Sequence, residues 1–446
     1  MLLIITISVV QAQHRNISNS TLQDIIFFLS ILTMKRTAVI KGLLFALLSS
    51  SFLTECDGAV LSRPTNEGFR INQVPYGTSS RNGPAALAAV YTKRGFQAPE
   101  YVQRAVSRAV QLGSDDASSG SVPALSQNVY DVAYKCPVTL GSSQVYLDFD
   151  SGSSDLWSFS TLQPEDQTAN HQLYHPSGNP IANSTWAITY LDGSSASGIV
   201  YSDSVTLGGL TFQNQYVEAA ENASASFVSG GQDGLLGLGF DQLNTIKPSK
   251  QYSLFSAIAP SLPQPLFTAN LKKNASGTYT FGYLNKTEYV DPITYVDVDS
   301  SDGFWSFETT AYAVGSGSST SKQFSGIMDT GTTLLVLPSD IARSYYANVT
   351  GASFNADNGG WTFSCDADLP ALHLQIGGQA HTVPGSFLNF APAGGSACFG
   401  GLQQSDDIPF SIFGDIFIKS QFVVFDRSTT PPRLGLAKQQ GVNYDE

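Results

Sequence analysis

The chain has 446 residues, of which 13% are charged and 42% hydrophobic, with a formal net charge of −13. That length exceeds one ordinary core and fits two large lobes behind an N-terminal extension. The acidic balance argues against nucleic acid as a partner. None of the 4 cysteines forms a CxxC and none of the 5 histidines an HExxH, so no metal or cofactor is expected.

In chain order, Met34-Lys35-Arg36 and the apolar run Ala38 to Leu53, ending in small residues near Gly58-Ala59, predict a signal peptide. Residues 1–33 are apolar in patches but lack the basic flank. Met34 is therefore the expected working start, with a second membrane-inserted segment as the alternative reading. Neither stretch reaches the ~20 apolar residues of a spanning helix. Residues 1–58 are read as this leader and 59–118 as a removable pro-segment, in which Val102, Ala105, Val106 and Ala109 share one face of a helix over Tyr101–Leu112.

Charge supports that division. Residues 1–118 hold 11 Lys/Arg against 7 Asp/Glu, whereas residues 119–446 hold 12 against 29. A basic leader ahead of an acidic body predicts a pro-segment held partly by ion pairs that acid weakens, a plain basic linker being the other reading. From about Gly120 the pattern turns to alternating strands, with Asp192-Gly193, Gly208-Gly209 and Gly377-Gly378 as hairpin turns. Gly315 to Ser321 reads as an exposed low-complexity loop.

Two copies of one pattern carry the chemistry. Phe149-Asp150-Ser151-Gly152-Ser153-Ser154 and Met328-Asp329-Thr330-Gly331-Thr332-Thr333 lie 179 residues apart. Each is followed by two apolar residues and a glycine: Leu235-Leu236-Gly237, 87 residues after Asp150, and Ile412-Phe413-Gly414, 85 after Asp329. A repeat this long means a duplicated domain rather than a solenoid. Two equivalent loops can then meet across a two-fold axis and set Asp150 beside Asp329. Two touching carboxylates cannot both ionise cheaply and hold one proton between them. One can then take a proton from water while the other gives one to a carbonyl. Gly152 and Gly331 let the backbone turn its N–H groups toward the carboxylates, and Ser153 and Thr332 supply hydroxyls for the outer oxygens. A single such loop is more often a turn; the matched pair is what makes the chemical reading.

Five sequons in the body, at Asn183, Asn222, Asn274, Asn285 and Asn348, together with the signal peptide, predict a secreted glycoprotein. Cys365 and Cys398 enclose a loop of 32 residues and are the expected disulfide, stabilising by about 3–4 kcal/mol. Cys136 is left as an odd thiol, read as a small buried hydrophobe. The polar end Gly441–Glu446 carries no lipid-anchor signal.

Tyr130 to Gly141, Phe149 to Phe159, Trp186 to Gly198, Gly234 to Phe240, Ile327 to Thr333 and Ser411 to Asp426 together resemble the pepsin-like aspartic proteases, most closely the secreted fungal, penicillopepsin-like members. The resemblance covers essentially all of residues 120–440, and residues 59–118 look like the matching pro-segment. It implies an all-β, bilobal fold, with lobes of 119–300 and 301–446 around a cleft, and an acid endopeptidase made as a zymogen. The proton-sharing dyad is the established case in that family, so its behaviour is borrowed from there. By the same resemblance Ser151 and Thr330 tie the loops together, and Tyr190 is the flap tyrosine with Trp157 as its partner. Gly331 and Thr333 contact substrate, and Asp192 is a flap acid linked to acceptance of lysine before the cut. On the residues alone Asp192 is equally a hairpin turn, and Tyr190 and Trp157 ordinary core aromatics. Leu191 departs from the family, standing where glycine is usual, and puts flap geometry and specificity in question. Lys93 and Arg94 are candidates to pair with the dyad. No cofactor or membrane anchor is implied; polypeptides are the expected substrates, bound as apolar extended strands, and a monomer is expected. Secretion is the expected destination, with a vacuole as the alternative. A binding protein on a dead pepsin fold would lose an Asp or remodel the flap, and a serine hydrolase would need a GxSxG that is absent.

Overall fold

The computed structural model describes residues 67–75, 82–116, 134–189 and 195–445. The leader, the segment 117–133 and the flap tip with Tyr190, Leu191 and Asp192 lie outside the described residues, as do the signal peptide and start-site readings.

Short strands at turn-marked intervals dominate, and among the described residues they form four sheets of eight, seven, six and four strands. The eight-stranded sheet is built largely from residues 134–237, the seven-stranded sheet from residues 306–413. Both are barrel-like lobes of a bilobal all-β fold. Alternation explains the long strands: Ser195–Leu207 turns every second side chain of most of its length into the core and pairs with Leu210–Ala223. Gly208 and Gly209 close that hairpin with φ of 54° and 86°, a left-handed pair that only glycine adopts without strain. Gly377 and Gly378 close Leu372–Ile376 on Gln379–Val383 in the same way. Ser316 to Ser321 are exposed, as expected for the low-complexity loop.

Each lobe repeats one arrangement around its Asp-bearing strand. Ser143–Asp150 runs parallel to Gly234–Gly237, so that Phe149 pairs with Leu236. Thr320–Met328 runs parallel to Ser411–Phe413, so that Ile327 pairs with Ile412. The strands after the two loops, Leu156–Ser158 and Leu335–Leu337, return antiparallel to the same partners. The shared apolar-apolar-glycine signal of the sequence is thus the central strand of both lobes.

The six-stranded sheet draws on both halves, joining Leu266–Lys272, Ala275–Phe281 and Tyr289–Asp297 to Gln421–Asp426 and Arg433–Gln439. Its border strand is Phe69–Asn72, whose Phe69 and Ile71 point inward while Arg70 and Asn72 face out. Two helices follow. Helix α1, Gly83–Lys93, starts on Asn82, whose side chain accepts from the Ala85 amide at 3.0 Å, and has proline in its first turn. It buries Leu87, Val90 and Tyr91. Helix α2, Glu100–Asp116, covers the span expected from periodicity, with Val102 and Ala105 buried and Val106 and Ala109 half-buried.

Candidate active site

Asp150 and Asp329 are fully buried at the ends of the two equivalent strands. The loops that carry them interlock. The Ser151 amide donates to Thr330 Oγ1 at 2.9 Å and the Thr330 amide to Ser151 Oγ at 3.0 Å. Their hydroxyls cross as well, Ser151 to the Met328 carbonyl at 2.8 Å and Thr330 to the Phe149 carbonyl at 2.6 Å. Four bonds with two-fold correspondence fix the loops face to face.

Each carboxylate has the same pair of local donors. Asp150 accepts from the Gly152 amide at 2.8 Å and from Ser153 Oγ at 2.5 Å. Asp329 accepts from the Gly331 amide at 3.1 Å and from Thr332 Oγ1. Glycine is required at both turns by crowding. A Cβ on Gly152 would collide with Asp329 and Arg94, and one on Gly331 with Asp150 and Lys93. That reciprocal contact puts the two carboxyl groups together at the cleft floor.

The end of α1 fills the space between them. Lys93 Nζ lies 2.8 Å from Asp150 Oδ1 and 2.9 Å from Asp329 Oδ1. Arg94, the C-cap residue, donates to Asp329 Oδ2, and its other nitrogen reaches the Gly152 carbonyl at 2.9 Å. Its guanidinium lies 4.9 Å from the centre of the Phe304 ring. The Arg94 side chain is 2% exposed and that of Lys93 13%, so these are interior ion pairs. Burial alone would raise Asp329; the charges of Arg94 and Lys93 and the Thr332 hydroxyl outweigh it and hold the group far below the usual carboxylate range.

Beside the clamp a cavity of about 220 Å³ stays open, lined by Val90, Lys93, Asp148, Phe227, Leu235 and Thr333. Asp148, two residues before Asp150, escaped the sequence reading because it looks like an ordinary strand position. Burial, then the charge of Asp150, pushes its carboxyl well up. Asp155, five residues after Asp150, was missed too. It is buried with Glu218, and Asn244 Nδ2 donates to both, at 2.9 and 3.3 Å. Burial raises both carboxyls, and the Asp155 charge raises Glu218 further. Trp157 is fully buried, packed on Trp186 with ring centres 5.8 Å apart. Its indole N–H meets no acceptor among the described residues, which exclude Tyr190.

Cys365 and Cys398 are joined in a disulfide with Cα atoms 4.9 Å apart. Cys136 is free and buried, its thiol pushed up by that burial. Asn183, Asn222, Asn274 and Asn348 are exposed and Asn285 half-exposed.

A sequence model of the eukaryotic aspartyl proteases matches residues 133–439, which include both loops. The chain belongs to that family. It is an aspartic-type endopeptidase, and polypeptides are its substrates. Aspartic protease pepA of Leptosphaeria maculans is 44% identical over 396 residues, covering 86% of this chain and 97% of the relative. Aspergillopepsin-1 of Aspergillus fumigatus is 45% identical over 381 residues, covering 84% and 93%. Penicillopepsin-3 of Penicillium janthinellum is 44% identical over 376 residues, covering 83% and 92%. Among solved structures, an aspartic proteinase from Irpex lacteus superposes with a TM-score of 0.58 at 26% identity, over 70% of this chain and 95% of that one.

Proposed function

We propose that the chain is the acid-activated zymogen of a secreted endopeptidase in which Asp150 and Asp329 work as one catalytic dyad. The observation that carries this reading is the single ammonium of Lys93, in hydrogen-bond reach of both carboxylates. A site built to bring two acids to one point is balanced here by two cations from residues 59–118. Withdrawal of those cations leaves two adjacent carboxylates that hold one proton between them. The ionised member takes a proton from a water whose oxygen bonds to the peptide carbonyl carbon. The protonated member gives its proton to the carbonyl oxygen. Collapse of the tetrahedral adduct then breaks the C–N bond as the amine nitrogen is protonated.

In this reading Ser151 and Thr330 hold the loops, Gly152, Ser153, Gly331 and Thr332 orient the carboxylates, and Thr333 contacts substrate. Tyr190 and Asp192 belong to the flap, with Trp157 behind it. The pro-segment, 59–118, is the intramolecular inhibitor; the lobes are 119–300 and 301–446, and the mature form is a monomer without an anchor. No helix among the described residues is long and apolar enough to cross a membrane. The leader directs secretion, a vacuole being the other destination, and the sequons carry glycans.

Acid has a defined task in activation. Asp329 keeps its charge well into acid, so its protonation is not the first event. Two further pairs join pro-segment and body, Arg70–Glu288 at 2.8 Å and the exposed Arg108–Asp357 at 3.5 Å. Incubating the full chain near pH ~3–4 releases the pro-segment and starts proteolysis that pepstatin-type inhibitors block. N-terminal sequencing of the product locates the cut. Undiminished proteolysis by Asp150→Asn or Asp329→Asn overturns the dyad.

A further inference from the structure

We infer that His171 is a positioning residue of the substrate cleft, a buried latch that holds the Phe227 wall to the strand bearing Leu235. This rests on the reading of the cleft given above. The His171 side chain is fully buried and stacks flat on Phe159, with ring centres 3.7 Å apart and planes within 6°. Its Nε2 lies 3.1 Å from the Val228 carbonyl oxygen. A carbonyl only accepts, so Nε2 carries a proton. Nδ1 faces Asp233 Oδ1 at 3.7 Å and has no hydrogen-bond partner among the described residues.

Both Asp233 oxygens already act as acceptors, from the Tyr146 amide at 2.9 Å and the Gln172 amide at 3.0 Å. With Nε2 donating to Val228, the ring is held between that carbonyl and the Asp233 carboxylate. Asp233 is the charged group that faces the ring. On neighbouring elements, Lys135 Nζ reaches the Gly231 carbonyl at 3.2 Å, and Glu165 and Asp166 on the preceding turn are exposed.

The ring joins two stretches of cleft wall from behind. Val228 ends the short helix Ala225–Val228, whose Phe227 lines the cavity and meets Trp157 edge-on at 5.2 Å. Asp233 directly precedes Gly234 and the cavity residue Leu235, and its carbonyl accepts from the Phe159 amide at 2.8 Å. Donation from Nε2 to the Val228 carbonyl, with the ring stacked on Phe159 beside Asp233, ties the two walls together.

The test is kinetic, on the full chain after acid activation, with a peptide bearing Phe before the cut and its Ala counterpart. His171→Phe keeps the stack but donates nothing; its KM for the Phe peptide should rise about fivefold at pH ~4, the loss of roughly one hydrogen bond, with kcat unchanged. His171→Gln can still donate to Val228, so it should restore KM. Wild-type KM in His171→Phe overturns the latch; should that variant not fold, a second measurement that needs no activity decides: nitrogen-15 spectra of the histidines in full-length Asp150→Asn. A proton on Nε2 of His171 supports the latch, and a bare Nε2 overturns it. A wild type that cleaves neither peptide sinks the reading of the cleft instead, and the spectra then decide the bond to Val228.

Discussion

Two residues before and five residues after its aspartate, the first loop carries Asp148 and Asp155; the second carries Ile327 and Leu334 at the same offsets. Backbone pairing, the crossed hydroxyls and the local donors correspond closely between the halves. The buried charge does not. At those offsets the N-terminal half sets carboxyls beside Asp150, whereas the C-terminal half sets hydrocarbon, buries its extra carboxyl at Asp415 instead, and adds a disulfide. Duplication thus supplied a scaffold symmetrical in hydrogen bonds, with acids placed differently on its two sides. Asp329 in turn draws the larger share of the clamp, two cations against one.

The largest expected effect tests the symmetry itself. Asp150→Asn and Asp329→Asn should each cut peptide cleavage at acid pH by at least about 10³-fold, measured on a chromogenic peptide after activation. Comparable losses mean that the pair acts as one unit; a large loss in one variant alone breaks the correspondence. Next comes the clamp. Arg94→Met removes one of two cations from a buried carboxylate, weakening the closed form by on the order of 3 kcal/mol. The folded clamp depresses Asp329, so its contribution is present above the unfolded carboxylate range and is lost as pH falls through the lowered value. Removing Arg94 should therefore move activation to higher pH, followed by loss of the full-length band on a gel. Lys93→Met, which touches both carboxylates, should move it further.

Stability separates the halves in a different way. Cys365→Ala with Cys398→Ala should lower stability by about 2–4 kcal/mol, read from urea unfolding. The smallest effect concerns Glu218. Its carboxyl is raised in the folded chain, so the native state binds more protons than the unfolded state above the ordinary glutamate range. Stability contributed by that proton is complete at acid pH and declines as pH rises through the raised value. Glu218→Gln keeps a partner for Asp155 without titrating. It should raise Tm at pH ~7 by roughly 1 °C per kcal/mol in a chain of this size, and change it little at pH ~3.5. An equal shift at both pH values would remove the N-terminal half's claim to be the pH-sensitive one.

How much of this was legible depends on whether the signal was repeated or local. Asp150 and Asp329 could be found because each lies in a loop copied elsewhere in the chain, with its partner strand copied too. The turns at Gly208 and Gly377 were readable because two adjacent glycines at positive φ have few other uses. Glu218 could not be paired with Asp155, since only the parallel register of Trp157 with Glu218 brings them together. His171 and Val228 are likewise remote in sequence and meet through a buried ring that carries no motif. The boundary expected at residue 300 gives no hint that Leu266–Asp297 pairs with Gln421–Gln439 in one shared sheet. Non-local strand pairing is what the sequence pattern does not encode.

On the zymogen reading proposed above, the border strand Phe69–Asn72 has a consequence for maturation. It lies against Ala275–Phe281, in register from Phe69 opposite Phe281 to Asn72 opposite Thr278. Expelling it strips a row of amide and carbonyl groups of their partners and bares the aromatic flank once covered by Phe69, which stacks on Phe281 at 4.8 Å. A freshly cut molecule thus has an adhesive seam along its shared sheet. Cutting the chain and letting go of the fragment are separate events, and the second runs only as fast as that seam finds another cover.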